Sequence, residues 1–134
     1  MILFLRALFF IVLASMLWVT TWASLHQPLG DFLRGGVIRD PWVIATLFDA
    51  YWAFIAFFVW VAWKEQSPAA RVLWFLSLIA LGNLAIAIYM LVQLFRVSAT
   101  APDALTTVFT QRQPGRLALP GTLTAVSIAI YLLA

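Results

Sequence analysis

Four long apolar stretches, separated by shorter polar segments, dominate the pattern of hydrophobic and polar positions along the chain. They cover approximately residues 3–24, 42–63, 69–95 and 117–134. An α-helix rises about 1.5 Å per residue, so about 20 apolar residues cross the roughly 30 Å hydrocarbon core of a bilayer. The pattern therefore predicts an all-α polytopic membrane protein, in which a four-transmembrane-helix up-and-down bundle forms a single domain over residues 1–134.

The polar segments carry the signals that start helices. Asp40 followed by Pro41, and Ser67 followed by Pro68, each predict an N-cap residue with proline in the first helical turn. Only about five residues separate the second and third stretches, so we expect these two helices to be antiparallel neighbours. In the longer connection before the last stretch, the helical spacing of apolar residues over 105–109 predicts a short interfacial helix.

The first apolar stretch permits a second interpretation. Its end, Thr21-Trp22-Ala23, loosely resembles the small-residue cleavage site of a secretory signal peptide. The length of the stretch, and the tryptophans Trp18 and Trp22 that would anchor it at an interface, favour a membrane span instead.

Composition supports the membrane assignment and changes the meaning of the charge. Hydrophobic residues make up 65% of the chain and charged residues 10%, whereas soluble domains are about half apolar and a quarter charged. The formal net charge of +3 comes from basic residues that occur singly along the chain. They predict contacts with lipid headgroups and not with nucleic acid. The absence of cysteine excludes disulfides and thiolate chemistry.

The basic residues give little information on orientation when the four stretches are treated as four spans. Arg6, Lys64 and Arg71 then lie on one side of the membrane. The other side holds the five remaining basic residues, Arg34, Arg39, Arg96, Arg112 and Arg116. This division favours termini that face outward, but only slightly, and so small a bias also permits insertion in both orientations.

Asp49 is the residue that most needs an explanation, because it lies about two turns inside the second apolar stretch. A charge within the hydrocarbon costs several kcal/mol, so the carboxyl group should be paired, neutral or in contact with water. Ala45, Thr46, Ala53 and Ala56 lie on the same side of the helix as small neighbours, which suits close helix packing. We therefore expect Asp49 to point into the bundle, either as a proton-binding group or as a structural, hydrogen-bonded carboxylic acid.

Besides Asp49 and Thr46, four further residues are candidates for binding a ligand or a proton. Tyr51 and Trp52 belong to the bulky remainder of the second helix, which predicts contact with lipid, a flat hydrophobic ligand or another subunit. Asn83 lies about as far beyond the polar turn as Asp49 lies before it, so we expect a hydrogen bond between these two side chains. Gln93 shares a helix face with the glycine before Asn83 and is expected to line the same interior at the opposite end.

No enzyme template is recognisable in the chain. There is no serine nucleophile elbow, no HExxH, no histidine-box cluster and no P-loop. His26, the one histidine, cannot complete a metal site without cysteines or clustered carboxylates. Neither a catalytic residue nor a metal is therefore predicted, and the sequence indicates no particular cofactor. We interpret Tyr89 as an anchor at the membrane interface.

Three segments in the middle of the chain carry a family resemblance. They are DPWVIATLFD at residues 40–49, VWVAWKE at 59–65 and QLF at 93–95. Together they resemble the small membrane proteins of the family called domain of unknown function 1475, over roughly residues 40–96. The resemblance implies a membrane protein built around the second and third helices, with no assigned activity. The residues in the family-like pattern are Pro41, Trp42, Thr46, Asp49, Trp60, Lys64 and Glu65.

Three classes of function remain open, and the first is the one we expect. It is an accessory or binding protein, integral to the membrane, that packs against a membrane-protein partner or a second copy, or binds a lipid, quinone or pigment. The second is a small homo-oligomeric transporter or channel that uses Asp49 as a protonatable intramembrane carboxylate. The third is a membrane enzyme that uses Asp49 for acid catalysis, which the missing templates disfavour. In a bacterium the membrane would be the inner one.

Overall fold

The computed structural model describes residues 1–134 as an all-α protein without a β-sheet. Its seven α-helices are α1 (Ile2–His26), α2 (Leu29–Arg34), α3 (Pro41–Lys64), α4 (Pro68–Leu81), α5 (Asn83–Phe95), α6 (Ala104–Thr110) and α7 (Ala118–Leu133). A 3-10 turn over Gly36–Arg39 precedes α3. The all-α prediction is confirmed, and the short helix predicted before the last apolar stretch is α6.

Local side-chain chemistry starts α3 and α4 where the sequence predicts. The Asp40 carboxylate accepts a hydrogen bond of 2.8 Å from the backbone N–H of Trp42, with Pro41 at the first helical position. Ser67 accepts one of 3.4 Å from the N–H of Ala70 in the same arrangement. Both N-cap predictions are confirmed, because each oxygen satisfies a backbone donor that has no partner inside the helix.

The third apolar stretch is a helical hairpin. The rings of Trp74 and Tyr89 lie 4.7 Å apart, although a straight helix would separate residues so distant in sequence by roughly 22 Å. The chain reverses at Gly82, which has φ 53° and ψ −124°. Phe54 covers this turn, so that a Cβ at position 82 would lie 2.7 Å from its Cζ. The single helix predicted over residues 69–95 is therefore wrong, because a positive φ at a glycine ends it halfway.

Helices α1, α3 and α7 run along the molecule. The α4–α5 hairpin starts at one end of the molecule and returns to the same end. We call this end, where α3 finishes and α4 starts, the Lys64 end. Arg6 of α1 donates hydrogen bonds there to the carbonyls of Leu94 and Val97. From this end α1 continues beside α5 toward the opposite end of the molecule. The opposite end, the Asp40 end, holds α2, the 3-10 turn and the chain terminus Ala134, whose carbonyl lies against α2.

Aromatic rings form the core where α3, α4 and α5 meet. The ring of Tyr89 contacts those of Trp60 and Phe57 edge to face, at centroid distances of 5.7 and 6.0 Å. The Phe58 and Phe75 rings, 5.0 Å apart, join α3 to α4 and confirm that these helices are antiparallel neighbours. The buried members of this core are Val61, Trp74, Leu78, Ala85 and Tyr89.

Two helices, α1 and α3, are long and apolar enough to cross a membrane. They have 25 and 24 residues, and only 6% of the most apolar window of α1 and 0% of that of α3 are buried within the chain. The other apolar helices, α4, α5 and α7, have 14, 13 and 16 residues. The surface of α1 and α3 is therefore hydrophobic and largely uncovered by the rest of the protein.

The hairpin also changes the distribution of charge. Arg96 lines a cleft together with Lys64, and Arg112 donates a hydrogen bond of 2.8 Å to the carbonyl of Trp63. Arg116 follows a glycine that lies against Ser67. Six of the eight basic residues are thus at the Lys64 end, which leaves two at the Asp40 end. The three-to-five division expected for four spans is wrong, because the third stretch returns to the side from which it starts.

Candidate functional site

A group of three hydrogen-bonded side chains, two of them buried, closes the Lys64 end of the core. Glu65 follows α3 directly, Tyr89 lies on α5, and Gln113 lies between α6 and α7. The Tyr89 hydroxyl donates a hydrogen bond of 2.9 Å to Oε1 of Glu65, and the Gln113 amide donates to the same oxygen. Glu65 and Tyr89 are 2% and 0% exposed. We call these three residues the polar clasp.

Backbone hydrogen bonds hold the Gln113 segment in place. The N–H of Gln113 donates to the carbonyl of Lys64 at 2.9 Å, and the N–H of Gln66 donates to the carbonyl of Gln113 at 3.0 Å. The guanidinium of Arg71 donates to the Glu65 carbonyl at 2.8 Å. These contacts join elements that are distant in sequence, so the clasp ties the α3–α4 turn to the connection before α7.

Lys64 fixes α6 against the end of α3. Its side chain is 2% exposed, and its ammonium group donates hydrogen bonds of 2.6 Å to the carbonyls of Val108 and Gln111. The indole of Trp60 adds a hydrogen bond of 3.1 Å to the carbonyl of Phe109. The last carbonyls of a short helix lack partners within it, so these donors complete its C-terminal end.

A polar cleft of about 200 Å³ opens beside the clasp, between α5, α6 and the Gln113 segment. Three cationic side chains line it, those of Lys64, Arg96 and Arg112, and no carboxylate does. Gln93 also lines the cleft and is 3% exposed. We call this the basic cleft. It can hold an anionic or strongly hydrogen-bonding group, whereas the clasp residues are already bonded to one another.

Asp49 lies on the outside of the chain, and the expectation that it points into the bundle is wrong. Asp49, Ala45, Ala53 and Ala56 are all exposed and form one face of α3, which we call the small-residue face. The side of α3 that packs inward carries larger side chains, among them Phe54, Phe57, Phe58 and Val61. Burying aromatic rings removes more apolar surface from water than burying alanines, which explains this choice of face.

The other predicted site residues do not gather around Asp49. Asn83 is exposed at the start of α5, and no hydrogen bond joins it to Asp49. The Thr46 hydroxyl donates to the carbonyl of Trp42 in its own helix, at 2.8 Å. Gln93 lies at the far end, in the basic cleft. The structure thus separates these residues, and the predicted hydrogen bond between Asp49 and Asn83 is absent.

Tyr51 and Trp52 line a shallow apolar depression on the surface of α3, with a volume of about 350 Å³. Trp52 is 64% exposed and Tyr51 36% exposed. All of the residues that line the depression belong to α3: Leu47, Phe48, Tyr51, Trp52 and Ile55. A ligand at this surface would therefore need a second wall that the chain itself does not supply.

The sequence pattern does not identify Glu65 and Tyr89 as a pair. The interpretation of Tyr89 as an interface anchor is wrong, because this residue is fully buried. Glu65 occurs in a polar turn beside Lys64, where a charged residue normally faces solvent. The available signal was its place in the family-like segment at residues 59–65, which assigned it no role.

The comparison with family models gives one match. A family described as a protein of unknown function, DUF1475, matches residues 1–112. The match includes α1, α2 and α6, beyond the residues 40–96 that carry the resemblance in the sequence, and it ends just before Gln113. No curated protein and no solved structure matches the chain. Since the match covers most of the 134 residues, the chain belongs to the DUF1475 family.

Proposed function

We propose that this protein is an integral membrane protein with an accessory or binding role, and that the small-residue face of α3 packs against a transmembrane helix of another protein chain. The observation that carries the proposal is Asp49. It lies exposed on a 24-residue apolar helix and has no hydrogen-bond partner within the chain. A carboxyl group in this position facing lipid alone would be costly. A second helix against this face would cover it.

The uncovered apolar surface of α1 and α3 supports the placement in a membrane. In water, the uncovered surface of α1 and α3 would be a far larger apolar patch than soluble monomers show. A lipid bilayer would cover it instead. In this arrangement α1, α3 and α7 cross the bilayer, and the α4–α5 hairpin enters from the Lys64 end and returns there. This replaces the expected four-span bundle.

The charge distribution supports one orientation. The Lys64 end carries six basic residues, whereas the Asp40 end carries two. Cytoplasmic segments of membrane proteins contain an excess of lysine and arginine. The proposal therefore places the Lys64 end and the start of the chain in the cytoplasm, and Ala134 on the opposite side.

The small-residue face suits a partner helix better than lipid. Ala45, Asp49 and Ala53 are spaced four residues apart, which allows a second backbone to approach closely. A hydroxyl or amide on that helix can hydrogen-bond to Asp49 without any ionisation. The aromatic depression around Trp52 lies beside this face and would offer one wall for a lipid, quinone or pigment held between the two chains.

The test is site-specific photo-crosslinking in native membranes. A photoreactive amino acid replaces Ala53 on the small-residue face, and the matched control replaces Ala14, an exposed residue of α1. We expect one discrete crosslinked product from position 53 and none from position 14. The product should persist in the Asp49→Asn variant, which keeps the size and hydrogen bonding of the side chain. Crosslinking only to lipid from position 53 would refute the proposal.

A specific pair of observations favours a second candidate, a homo-oligomeric transporter or channel. Asp49 is ionisable and faces outward, and the α4–α5 hairpin reverses at Gly82 within the length of the longer helices. In an oligomer, Asp49 residues from several copies would line a shared interior. Proton flux into proteoliposomes that the wild type supports and Asp49→Asn abolishes would establish this function in place of the first.

A further inference from the structure

We propose that the basic cleft at the Lys64 end binds the phosphate group of an anionic phospholipid. This inference rests on the proposed placement in a membrane and not on the partner at Asp49. The cleft combines three cations and a buried amide in about 200 Å³. The side chains of the polar clasp hydrogen-bond to one another, so the cleft is the part of this end that is open to a ligand.

The charge in the cleft is only partly balanced within the chain, because Glu65 is the one carboxylate that acts on Lys64 while Arg96 repels it. Lys64, Arg96 and Arg112 line it without a carboxylate. The nearest acidic side chain in sequence, Glu65, is buried and hydrogen-bonded to Tyr89 and Gln113. Like charges brought together repel one another, and a bound anion would remove this repulsion. The cleft is thus electrostatically suited to an anion.

The hydrogen-bond donors in the cleft are held ready for an acceptor. Lys64 is fixed by the carbonyls of Val108 and Gln111. Arg112 is fixed through its Nε, which donates to the Trp63 carbonyl at 2.8 Å. The side chains of Arg96 and Gln93 donate to no acceptor within the chain, and Gln93 is 3% exposed. The Gln93 amide reaches the cleft and is not sealed in the interior, so Arg96 and Gln93 offer free hydrogen-bond donors to a ligand.

The surroundings of the cleft favour a lipid phosphate over a free anion. Phe95 and Phe109, which flank the cleft along the chain, are 55% and 40% exposed, and Trp63 is 46% exposed. Tryptophan and arginine at the end of an apolar helix are typical of the headgroup region, where arginine pairs with phosphate oxygens. A headgroup in the cleft would leave its acyl chains against these exposed aromatic residues.

The experiment measures lipid binding by the purified full chain after delipidation. Dioleoylphosphatidylglycerol or dioleoylphosphatidylcholine is added in detergent, and bound lipid is counted by native mass spectrometry. We expect phosphatidylglycerol to bind in preference to phosphatidylcholine. Arg96→Gln should weaken that binding about fivefold, whereas Arg39→Gln, which removes an exposed arginine at the Asp40 end, should leave it unchanged. The Arg96 side chain makes no hydrogen bond in the chain and is exposed, so its variant should fold normally.

Equal binding of the two lipids, or equal effects of the two arginine variants, would overturn the proposal. A third arm adds inorganic phosphate alone. If phosphate displaces phosphatidylglycerol completely at millimolar concentration, the cleft is a soluble-anion site and the lipid assignment fails. The photo-crosslinking at position 53 is independent of these results, since lipid binding is measured on the isolated chain. The two proposals can therefore fail separately.

Discussion

The Tyr89 hydroxyl donates a hydrogen bond of 2.9 Å to the Glu65 carboxyl group, across the mouth of a helical hairpin that turns at Gly82. Glu65 lies just before the first helix of that hairpin, and Tyr89 lies midway along the second. The contact exists only because α5 returns to the end from which α4 starts. It therefore reports the formation of the whole α4–α5 hairpin, together with the Gln113 segment that donates to the same carboxyl oxygen.

Tyr89→Phe should destabilise the protein by about 2 kcal/mol, because hydrogen bonds to buried carboxyl groups contribute about 1.5–3 kcal/mol when the acceptor is charged. The ring and its contact with Trp74 remain, so the loss isolates the hydroxyl. Unfolding in detergent can be followed by tryptophan fluorescence. The control is Tyr51→Phe. The Tyr51 hydroxyl makes no hydrogen bond in the chain and the residue is 36% exposed, so its removal should have little effect on stability. Equal stability of the two variants would contradict the role of the clasp.

Gly82→Ala should prevent the close turn of the hairpin. A non-glycine residue at φ 53° and ψ −124° is strained by about 1–3 kcal/mol, and the added Cβ would also lie 2.7 Å from the Phe54 ring. We expect a lower midpoint of thermal unfolding and loss of the close approach between Trp74 and Tyr89. Gly36→Ala is the matched control, because nothing lies within 4 Å of a Cβ there. A Gly82→Ala variant as stable as this control would contradict the hairpin geometry.

Local signals in the sequence predicted the helix starts correctly, because capping depends on neighbouring residues only. Asp40 and Ser67 each accept the expected backbone hydrogen bond. The hairpin could not be predicted in this way. Residues 69–95 are apolar on both sides of Gly82, and glycine is common inside membrane helices. Hydropathy therefore indicates one long helix, whereas the backbone angle at a single residue decides that there are two.

The candidate site was only partly predictable for a related reason. The cost of a charge in lipid points to Asp49 as a candidate, but it does not say which face of α3 is buried. That choice depends on how Phe54, Phe57 and Phe58 fit against α4 and α5, which is a property of three helices together. The polar clasp and the basic cleft both form only because α5 returns to the Lys64 end. Neither can be predicted from the local pattern of residues, because each joins segments that are distant in sequence.

Arg6 should be needed to hold α1 against α5. Its guanidinium donates hydrogen bonds of 2.9 and 2.8 Å to the carbonyls of Leu94 and Val97, and it lies 4.4 Å from the centre of the Phe95 ring. A cation at the carboxyl end of a helix also interacts favourably with the negative end of the helix dipole. Arg6→Met should lower the free energy of unfolding by about 2 kcal/mol, measured by chemical denaturation in detergent. Arg39→Met, at the opposite end, is the control, and an equal loss in both variants would contradict a specific role.

Single-cysteine labelling should show one orientation, with the Lys64 end in the cytoplasm. The chain has no cysteine, so Gln66→Cys in the α3–α4 turn and Gly36→Cys at the Asp40 end each introduce one thiol at an exposed position. A membrane-impermeant maleimide applied to intact cells should label position 36 and not position 66 until the membrane is permeabilised. The reverse pattern, or equal labelling of both positions, would contradict the proposed orientation.

Removal of the arginines that the hairpin brings to the Lys64 end should weaken this orientation. Replacing Arg96, Arg112 and Arg116 by glutamine leaves three basic residues at the Lys64 end against two at the Asp40 end. Because basic residues near the ends of spans set orientation, we expect positions 36 and 66 to be labelled from outside in a mixed population. A four-span arrangement predicts a different result, because these arginines would then lie on the side of position 36. Their loss would remove positive charge from that side and strengthen an orientation with position 66 inside. Labelling of the triple variant therefore distinguishes the hairpin from a third complete span.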